Sequence, residues 1–159
     1  MPFRIGNGFD VHALVKGRKL VLGGVTVPFE KGLSGHSDAD VLVHALCDAL
    51  LGALALGDIG TLFPDTDEKY KDISSLVLLR EVVKIVRKKG WGIGNVDAVV
   101  VAQQPPLAPF IQEMRKVLAG TLKVSVNQVS VKATTTEHLG FPGRGEGIAA
   151  TVTVLLEMA

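Results

Sequence analysis

The first residues of the chain alternate between apolar and polar side chains, which is the two-residue period of a half-buried β-strand. Four apolar residues keep this period, and they are Phe3, Ile5, Phe9 and Val11. The pattern predicts a strand over residues 3–11. Because every second residue of a strand points to the same side, we expect Asp10 and His12 to share one face.

Two adjacent glycines interrupt the next apolar run, and such a pair is a common signal for a β-hairpin. Residues 19–28 are therefore predicted to form two short strands around Gly23 and Gly24. The segment 32–37 follows, and it has few bulky apolar side chains to anchor it. We expect this segment to be a mobile loop.

Residues 40–56 are apolar on nearly every side of a helix. Only one line of residues, spaced four apart, is polar or small, and it consists of Asp40, His44, Asp48 and Gly52. The pattern predicts a buried helix with one thin polar stripe. The segments 57–60 and 63–67 are predicted to end this helix and to form a polar turn.

The rest of the chain alternates helical patterns with β-branched strands. A helix with a basic end, which suits the negative end of the helix dipole, is predicted over 74–89. Further elements are predicted at 95–103 (strand), 109–120 (helix), 128–133 (strand) and 147–156 (strand). The order predicts one α+β domain over residues 1–159, a single-layer mixed sheet with helices on one face and ferredoxin-like β-α-β elements.

Composition narrows the class of protein. With 17 basic and 16 acidic residues the net charge is +1, which lacks the positive bias of a nucleic-acid-binding protein. No apolar run reaches the ~20 residues of a membrane span. The 47% hydrophobic content and the mean hydropathy of +0.35 therefore predict a generous core or a surface buried between copies of the chain. One cysteine, Cys47, and no recognisable signal peptide make the cytoplasm the expected location.

Asp10, His12 and His44 are the first residues that could carry chemistry. The strand presents two of them on one face and the helical stripe presents the third, so that three N and O ligands could leave a fourth position open for substrate on zinc. The alternative is structural, with His44 in the core bonded to Asp10 or Asp48 and with His12 exposed. A lone Asp-x-His pair favours this alternative, because its spacing is easily met by chance.

Two further segments carry candidate residues. His36 and Ser37 could donate hydrogen bonds to a phosphate beside a metal, whereas Asp38 is best interpreted as the cap of the following helix. Residues 132–147 combine hydroxyls, glycine-freed amides, a carboxylate and an arginine, which suit oxyanions and a hard cation. Strand propensity and turn formation explain part of that pattern equally well.

Six short motifs stand in order along the chain: GFDVH at 8–12, HSDAD at 36–40 with His44, ALGDIG at 55–60, FPDTD at 63–67, KATTTE at 132–137 and GRGEG at 143–147. Together they resemble the 2-C-methyl-D-erythritol 2,4-cyclodiphosphate synthase family of the non-mevalonate isoprenoid pathway. The resemblance implies a phosphorus-oxygen lyase that closes a cyclic diphosphate from a cytidine diphosphate substrate and releases CMP. It also implies a homotrimer with active sites between subunits.

The resemblance implies a role for each matching residue. A zinc-like ion would be bound by Asp10, His12 and His44, and Glu137 would bind a magnesium or manganese ion that bridges the substrate diphosphate. His36 and Thr135 would be catalytic, with Ser37 beside the phosphates. The erythritol would be bordered by Asp58, Ile59, Gly60, Asp65 and Asp67. The cytidine pocket of the neighbouring subunit would include Ala102, Pro105, Leu107, Ala108 and Thr134. Other substrate-side positions would be Phe63, Thr136, Phe141 and Arg144.

Two positions depart from the family pattern. Many members have a lysine where this chain has Pro106, so a contact from that residue's nitrogen is excluded. Some relatives have an acidic residue where Thr151 stands on the last strand. This weakens the case for an isoprenoid diphosphate in the central cavity of the trimer, although Arg144 and Glu146 remain.

Two other functions stay open on the residues alone. One keeps the metal but uses a bound water to hydrolyse a nucleoside diphosphate, which gives a linear product. The other is a trimeric anion-binding or scaffolding protein whose histidines are structural. The resemblance favours cyclisation, in which the substrate's own 2-phosphate attacks and no protein nucleophile is required.

Overall fold

The computed structural model describes residues 2–159, which form two β-sheets and five helices. The strands are β1 (Phe3–Lys16), β2 (Leu20–Leu22), β3 (Val25–Val27), β4 (Lys31–Leu33), β5 (Trp91–Val101), β6 (Val129–Thr134) and β7 (Gly147–Met158). The helices are α1 (Val41–Ala53), α2 (Ile59–Leu62), α3 (Ser75–Lys88), α4 (Ile111–Leu122) and α5 (Gly140–Gly143). Single 3₁₀ turns occur at Glu68–Tyr70, Ala108–Phe110 and Val126–Gln128.

The larger sheet is mixed, with the strand order β4-β1-β7-β5-β6. Strand β1 pairs antiparallel with β4 and β7, and β7 pairs antiparallel with β5. Only β5 and β6 are parallel, and α4 lies in the connection between them, as a parallel pair requires. The predicted α+β fold with a mixed sheet and a β-α-β element is confirmed. Strands β2 and β3 form the separate, predicted hairpin.

Helix α1 packs directly on β1, and glycine in the strand makes this approach possible. A Cβ atom at Gly6 would lie 1.8 Å from the carbonyl oxygen of Ala49 in α1. Ten residues of α1 are buried. Its nearly all-round apolar pattern therefore reflects a helix that packs against other parts of the chain on most of its sides. The close contact fixes α1 above β1, the strand that carries Asp10 and His12.

The opposite face of β1 is apolar and exposed. Its four apolar side chains are exposed by 53% for Phe3, 71% for Ile5, 62% for Phe9 and 39% for Val11. These are the residues whose alternation predicted the strand. The core therefore lies on the helical side of the sheet, which buries the alternate residues of β5 and β7.

Several predicted boundaries change. The predicted first strand is correct but extends to Lys16, because its end pairs with β4. The prediction of a mobile loop over 32–37 is wrong for Gly32 and Leu33, which are paired in β4. The helix predicted over 40–56 ends at Ala53, and the one predicted from 109 begins at Ile111 after a 3₁₀ turn. Helices α2 and α5 were not predicted. Within residues 2–159, no helix combines the length and the apolar character of a membrane span.

Candidate metal and substrate site

The side chains of Asp10, His12 and His44 converge, as the sequence predicted. One ligand atom from each residue lies within 4.8 Å of the other two. The Oδ2 atom of Asp10 is 2.9 Å from Nε2 of His12 and 3.3 Å from Nδ1 of His44. The two ring nitrogens are 3.1 Å apart. We call these three residues the triad.

The outward nitrogen of each histidine has a partner outside the triad. In His12, Nδ1 lies 2.8 Å from the carbonyl oxygen of Ser34. A carbonyl oxygen only accepts, so the hydrogen-bond pattern assigns the proton to Nδ1 and leaves the Nε2 lone pair facing inward. In His44, the outward Nε2 lies 2.8 Å from Oγ of Ser75 and 3.2 Å from Oγ of Ser37.

The electrostatics of the triad follow from its partial burial. Burial raises the pKa of Asp10, but hydrogen bonds and charge from His12 and His44 outweigh it and lower the pKa to about 2. Burial lowers the pKa of His12, but its contact with Asp10 raises the pKa above the ordinary 6.5. Asp10 is thus ionised at neutral pH.

The donor set of the triad fits a divalent cation. When both imidazoles are neutral and carry their protons on the outward nitrogens, the inward nitrogens no longer donate to Asp10, and its Oδ2 is then a buried oxygen without a hydrogen-bond partner. Two imidazole nitrogens and one carboxylate oxygen are the ligands of open zinc sites. Of the structural alternative, the contact of His44 with Asp10 is present at 3.3 Å, but His12 is half-buried rather than exposed, and Asp48 accepts from the backbone N–H of Ile59 at 2.7 Å.

A cavity of about 450 Å³ opens beside the triad. Besides the triad it is lined by six residues that the sequence analysis selected, which are His36, Ser37, Ile59, Gly60, Phe63 and Asp65. Tyr70 and Leu78 also line it, and neither is among the predicted site residues. Tyr70, the chain's single tyrosine, packs edge-to-face on Phe63 at 5.4 Å, and its place just after the FPDTD motif was the available signal.

Helix α2 carries Ile59 and Gly60 into this cavity. Asp58 caps the helix by accepting from the backbone N–H of Thr61 at 2.9 Å. Asp48 accepts from the backbone N–H of Ile59, the first residue of the helix. Asp67 caps the next 3₁₀ turn, while its backbone oxygen lies 2.9 Å from Nε2 of His36. Asp58 and Asp67 therefore have structural partners and do not line the cavity.

The prediction that Asp38 caps the helix after the HSDAD motif is wrong. The cap of α1 is Asp40, which accepts from the backbone N–H of Val43 at 3.1 Å, because the helix begins one residue after Asp40. Asp38 instead lies at the start of α3, where it accepts from both the backbone N–H and the hydroxyl of Ser75.

A second cavity, of about 620 Å³, lies between the segment after β5 and the end of β6. It is lined by all five predicted cytidine-pocket residues, Ala102, Pro105, Leu107, Ala108 and Thr134, and also by Pro106 and Thr135. The two cavities share no lining residue. His36 and Thr135, which the resemblance assigns to one reaction centre, therefore line different cavities of the same chain.

Besides Asp58 and Asp67, four predicted residues line neither cavity, and they are Thr136, Glu137, Phe141 and Arg144. Glu137 is exposed at the turn after β6, with a carboxylate oxygen 3.5 Å from Oγ1 of Thr135. Arg144 forms an exposed ion pair with Glu146 at 2.8 Å. One chain does not bring these residues to the triad.

Fold and site together define a class, namely an α+β protein with an Asp-His-His metal triad beside a substrate-sized cavity. Comparison with known proteins specifies it further. The YgbB family matches residues 3–157. The chain is 64% identical over 154 residues to the 2-C-methyl-D-erythritol 2,4-cyclodiphosphate synthase of Geobacter metallireducens, across 97% of this chain and 98% of the relative. It is 58% identical to the enzyme of that name from Bacillus licheniformis, across 98% of each chain.

Solved structures agree with this result. A CDP complex of IspF from Plasmodium falciparum matches with a TM-score of 0.87 and 35% identity over 98% of this chain and 96% of that chain. The bifunctional IspDF of Campylobacter jejuni matches with a TM-score of 0.95 and 48% identity. The match covers 99% of this chain and 42% of that protein. The chain belongs to the YgbB family. It is a lyase that forms 2-C-methyl-D-erythritol 2,4-cyclodiphosphate in the non-mevalonate pathway.

Proposed function

We propose that the substrate is 4-diphosphocytidyl-2-C-methyl-D-erythritol 2-phosphate and that its 2-phosphate attacks its own β-phosphorus. A new P–O bond closes the ring, and the bond from the β-phosphorus to the bridging oxygen breaks. The electron pair leaves with CMP. The observation that carries the proposal is the convergence of Asp10, His12 and His44 at the wall of a cavity.

The triad is proposed to hold zinc or a similar transition metal, and Glu137 to hold magnesium or manganese. When bound, such ions polarise phosphate oxygens and neutralise the leaving phosphate. The need is electrostatic, because two anions brought to ~4 Å repel by ~4 kcal/mol at an effective dielectric near 20. The protein itself supplies the folded binding site that brings the two phosphates of one substrate together.

Residues around the first cavity are proposed to orient the erythritol and its phosphates. His36 lies on the rim and can donate to a phosphate oxygen from the nitrogen not bonded to Asp67. Gly60 offers a close backbone approach, and Asp65 can accept from a substrate hydroxyl. Ile59, Phe63 and Ser37 complete the wall, and contacts of Asp58 and Asp67 with the erythritol would add to their capping roles.

The second cavity is proposed to hold cytidine and to complete the first cavity of a neighbouring copy in a homotrimer. Three observations support this proposal: the two cavities share no residue, the outer face of β1 is apolar and exposed, and the Plasmodium falciparum relative is a CDP complex. Thr135 of one copy would then act beside His36 of another. The remaining proposed contacts are Thr134, Thr136, Glu137, Phe141 and Arg144.

Two further assignments accompany the trimer. An isoprenoid diphosphate is proposed to bind its central cavity through Arg144, which forms an ion pair with Glu146 in each chain. We also assign the enzyme to the cytoplasm, in accord with a free and buried Cys47.

Product analysis tests the reaction. With zinc and magnesium, the purified protein should give CMP and a cyclic product, which mass spectrometry distinguishes from the linear product because the linear one is heavier by one water. A linear product alone would show hydrolysis and overturn the proposal. His44→Ala should lose both zinc and turnover. His138→Ala is the matched control and should keep its zinc, since His138 lies outside the triad.

A further inference from the structure

Three groups form a hydrogen-bonded row that leads away from the triad into the protein. Nε2 of His44 lies 2.8 Å from Oγ of Ser75, and this Oγ lies 2.5 Å from Oδ1 of Asp38. Ser75 is fully buried at the first turn of α3. The row therefore joins α1, α3 and the segment between β4 and α1 behind a proposed metal ligand.

The direction of each hydrogen bond in this row follows from donor and acceptor counts. Asp38 accepts from the backbone N–H groups of Asp40 and Ser75, both at 3.1 Å, and it lies at the positive end of the α3 dipole. An ionised carboxylate only accepts, so the Ser75 hydroxyl donates its proton to Asp38. The Ser75 oxygen is left with lone pairs, and Nε2 of His44 must be the donor.

The proton on Nε2 determines the state of the other ring nitrogen of His44, because a neutral imidazole carries only one proton. If Nε2 holds the proton, Nδ1 of His44 presents its lone pair, and this is the nitrogen that lies 3.3 Å from Oδ2 of Asp10. The same logic applies to His12, where the Ser34 carbonyl fixes the outward proton. A serine cannot fix a proton in this way unaided, since its hydroxyl can donate or accept.

We propose that Ser75 and Asp38 are positioning residues that hold His44 as the Nε2–H tautomer with Nδ1 ready to bind the ion. This inference rests on the proposed metal site. Partners of this kind in metalloproteins typically contribute 10- to 100-fold to metal affinity. Ser37, at 3.2 Å from the same nitrogen, adds a weaker contact to the same ring.

Zinc competition against a chromophoric chelator gives the first test. Ser75→Ala should bind zinc about 10- to 100-fold more weakly than the wild type. Ser74→Ala is the matched control: it removes the adjacent hydroxyl, which caps α3 but does not contact His44, and should keep wild-type affinity. Asp38→Asn, which replaces one of the two acceptor oxygens with an N–H donor, should also weaken binding. Equal affinity in Ser75→Ala and Ser74→Ala would overturn the positioning role while leaving the triad intact.

The tautomer of His44 gives a test that does not depend on zinc. In ¹⁵N-histidine-labelled protein, stripped of metal at pH 8.5, two-bond ¹H–¹⁵N correlations should report His44 as Nε2–H. Ser75→Ala and Asp38→Asn should shift the population toward Nδ1–H, which mere loss of stability would not do. A wild-type protein with the proton on Nδ1 would refute the inference even if the variants fail to fold. A wild-type protein that binds no zinc but shows Nε2–H would instead contradict the proposed function.

Discussion

Gly8 lies so close to Ala45 that a Cβ atom at position 8 would be 1.9 Å from the Ala45 carbonyl oxygen. Ala45 follows His44 in α1, and Gly8 precedes Asp10 by two residues in β1. This contact therefore sets the distance between the strand that supplies two triad residues and the helix that supplies the third. A metal site depends here on the absence of one methyl group.

Gly8→Ala should destabilise the fold and weaken zinc binding together, because the added Cβ must push α1 away from β1. Overpacking of this kind costs about 1–3 kcal/mol, and the obstacle here is backbone rather than a flexible side chain. Gly120→Ala is the control, since a Cβ at Gly120 meets no atom within 4 Å in α4. Chemical denaturation and zinc titration would check both variants, and unchanged zinc affinity in folded Gly8→Ala would contradict this explanation of the contact.

Asp40 gives the fold a pH dependence that can be isolated. Burial raises its pKa from 3.8 to about 6, with a contribution from the charge of Asp38, against the opposing backbone N–H groups of Gly24, Val43 and Gly23. The folded state thus holds this proton more tightly than the unfolded chain does. The stabilising contribution of Asp40 is greatest below pH ~4 and declines as the pH rises to ~6.

Asp40→Asn keeps a helix-capping side chain but cannot ionise. Between pH 4 and 6 the wild type should lose unfolding free energy relative to this variant, on the order of 2 kcal/mol at ~1.4 kcal/mol for each pKa unit. Denaturant unfolding of both proteins at pH 4, 5, 6 and 7 measures the difference, in which all shared titrating groups cancel. A difference that stays constant with pH would show that Asp40 is ionised in the fold throughout this range.

Glu137→Ala should keep zinc but lose roughly 100-fold in turnover, the size expected for one electrostatic group that acts on transferring charge. The triad does not include Glu137, so zinc content should stay at the wild-type level. Added manganese or magnesium should restore activity only weakly, since the proposed protein ligand is gone. The matched control is Glu81→Ala, which removes an exposed carboxylate of α3 that pairs with Lys84. Normal turnover in Glu137→Ala would remove this residue from its proposed role.

The triad could be predicted from the sequence because each of its members follows a regular period. Asp10 and His12 are two apart in a strand, and His44 belongs to a stripe spaced by four in a helix. The contacts behind the triad follow no period. Ser75 meets His44 across 31 residues of sequence, and the meeting depends on how the start of α3 packs on α1. No local pattern contains that information.

Glycine caused the clearest error in the predicted fold. The pattern predicts that residue 32 lies in a mobile loop, yet a Cβ there would lie 2.2 Å from the carbonyl oxygen of Lys19. The glycine thus permits a close approach of β4 to the preceding segment rather than mobility. Sequence alone does not distinguish a glycine that permits close packing from one that permits mobility, because both roles depend on the absence of a side chain.

Phe9→Glu should disrupt assembly while leaving the chain folded. Phe9 is 62% exposed on the apolar face of β1, so a charge there costs a single chain little. If that face is buried between subunits, an unpaired carboxylate at position 9 would be costly in every copy. Sedimentation should then find trimers for the wild type and smaller species for Phe9→Glu, and activity should fall because each proposed site needs two chains.

The control for Phe9→Glu is Val77→Glu, which places the same charge on the outer surface of α3 at a residue that is 37% exposed. This variant should stay trimeric and active. Circular dichroism would verify that both variants are folded, so that a smaller species reports the interface and not unfolding. A fully trimeric and active Phe9→Glu would mean that the outer face of β1 lies outside the subunit contact. A different surface of the chain would then have to bring the second cavity of one copy next to the triad of another.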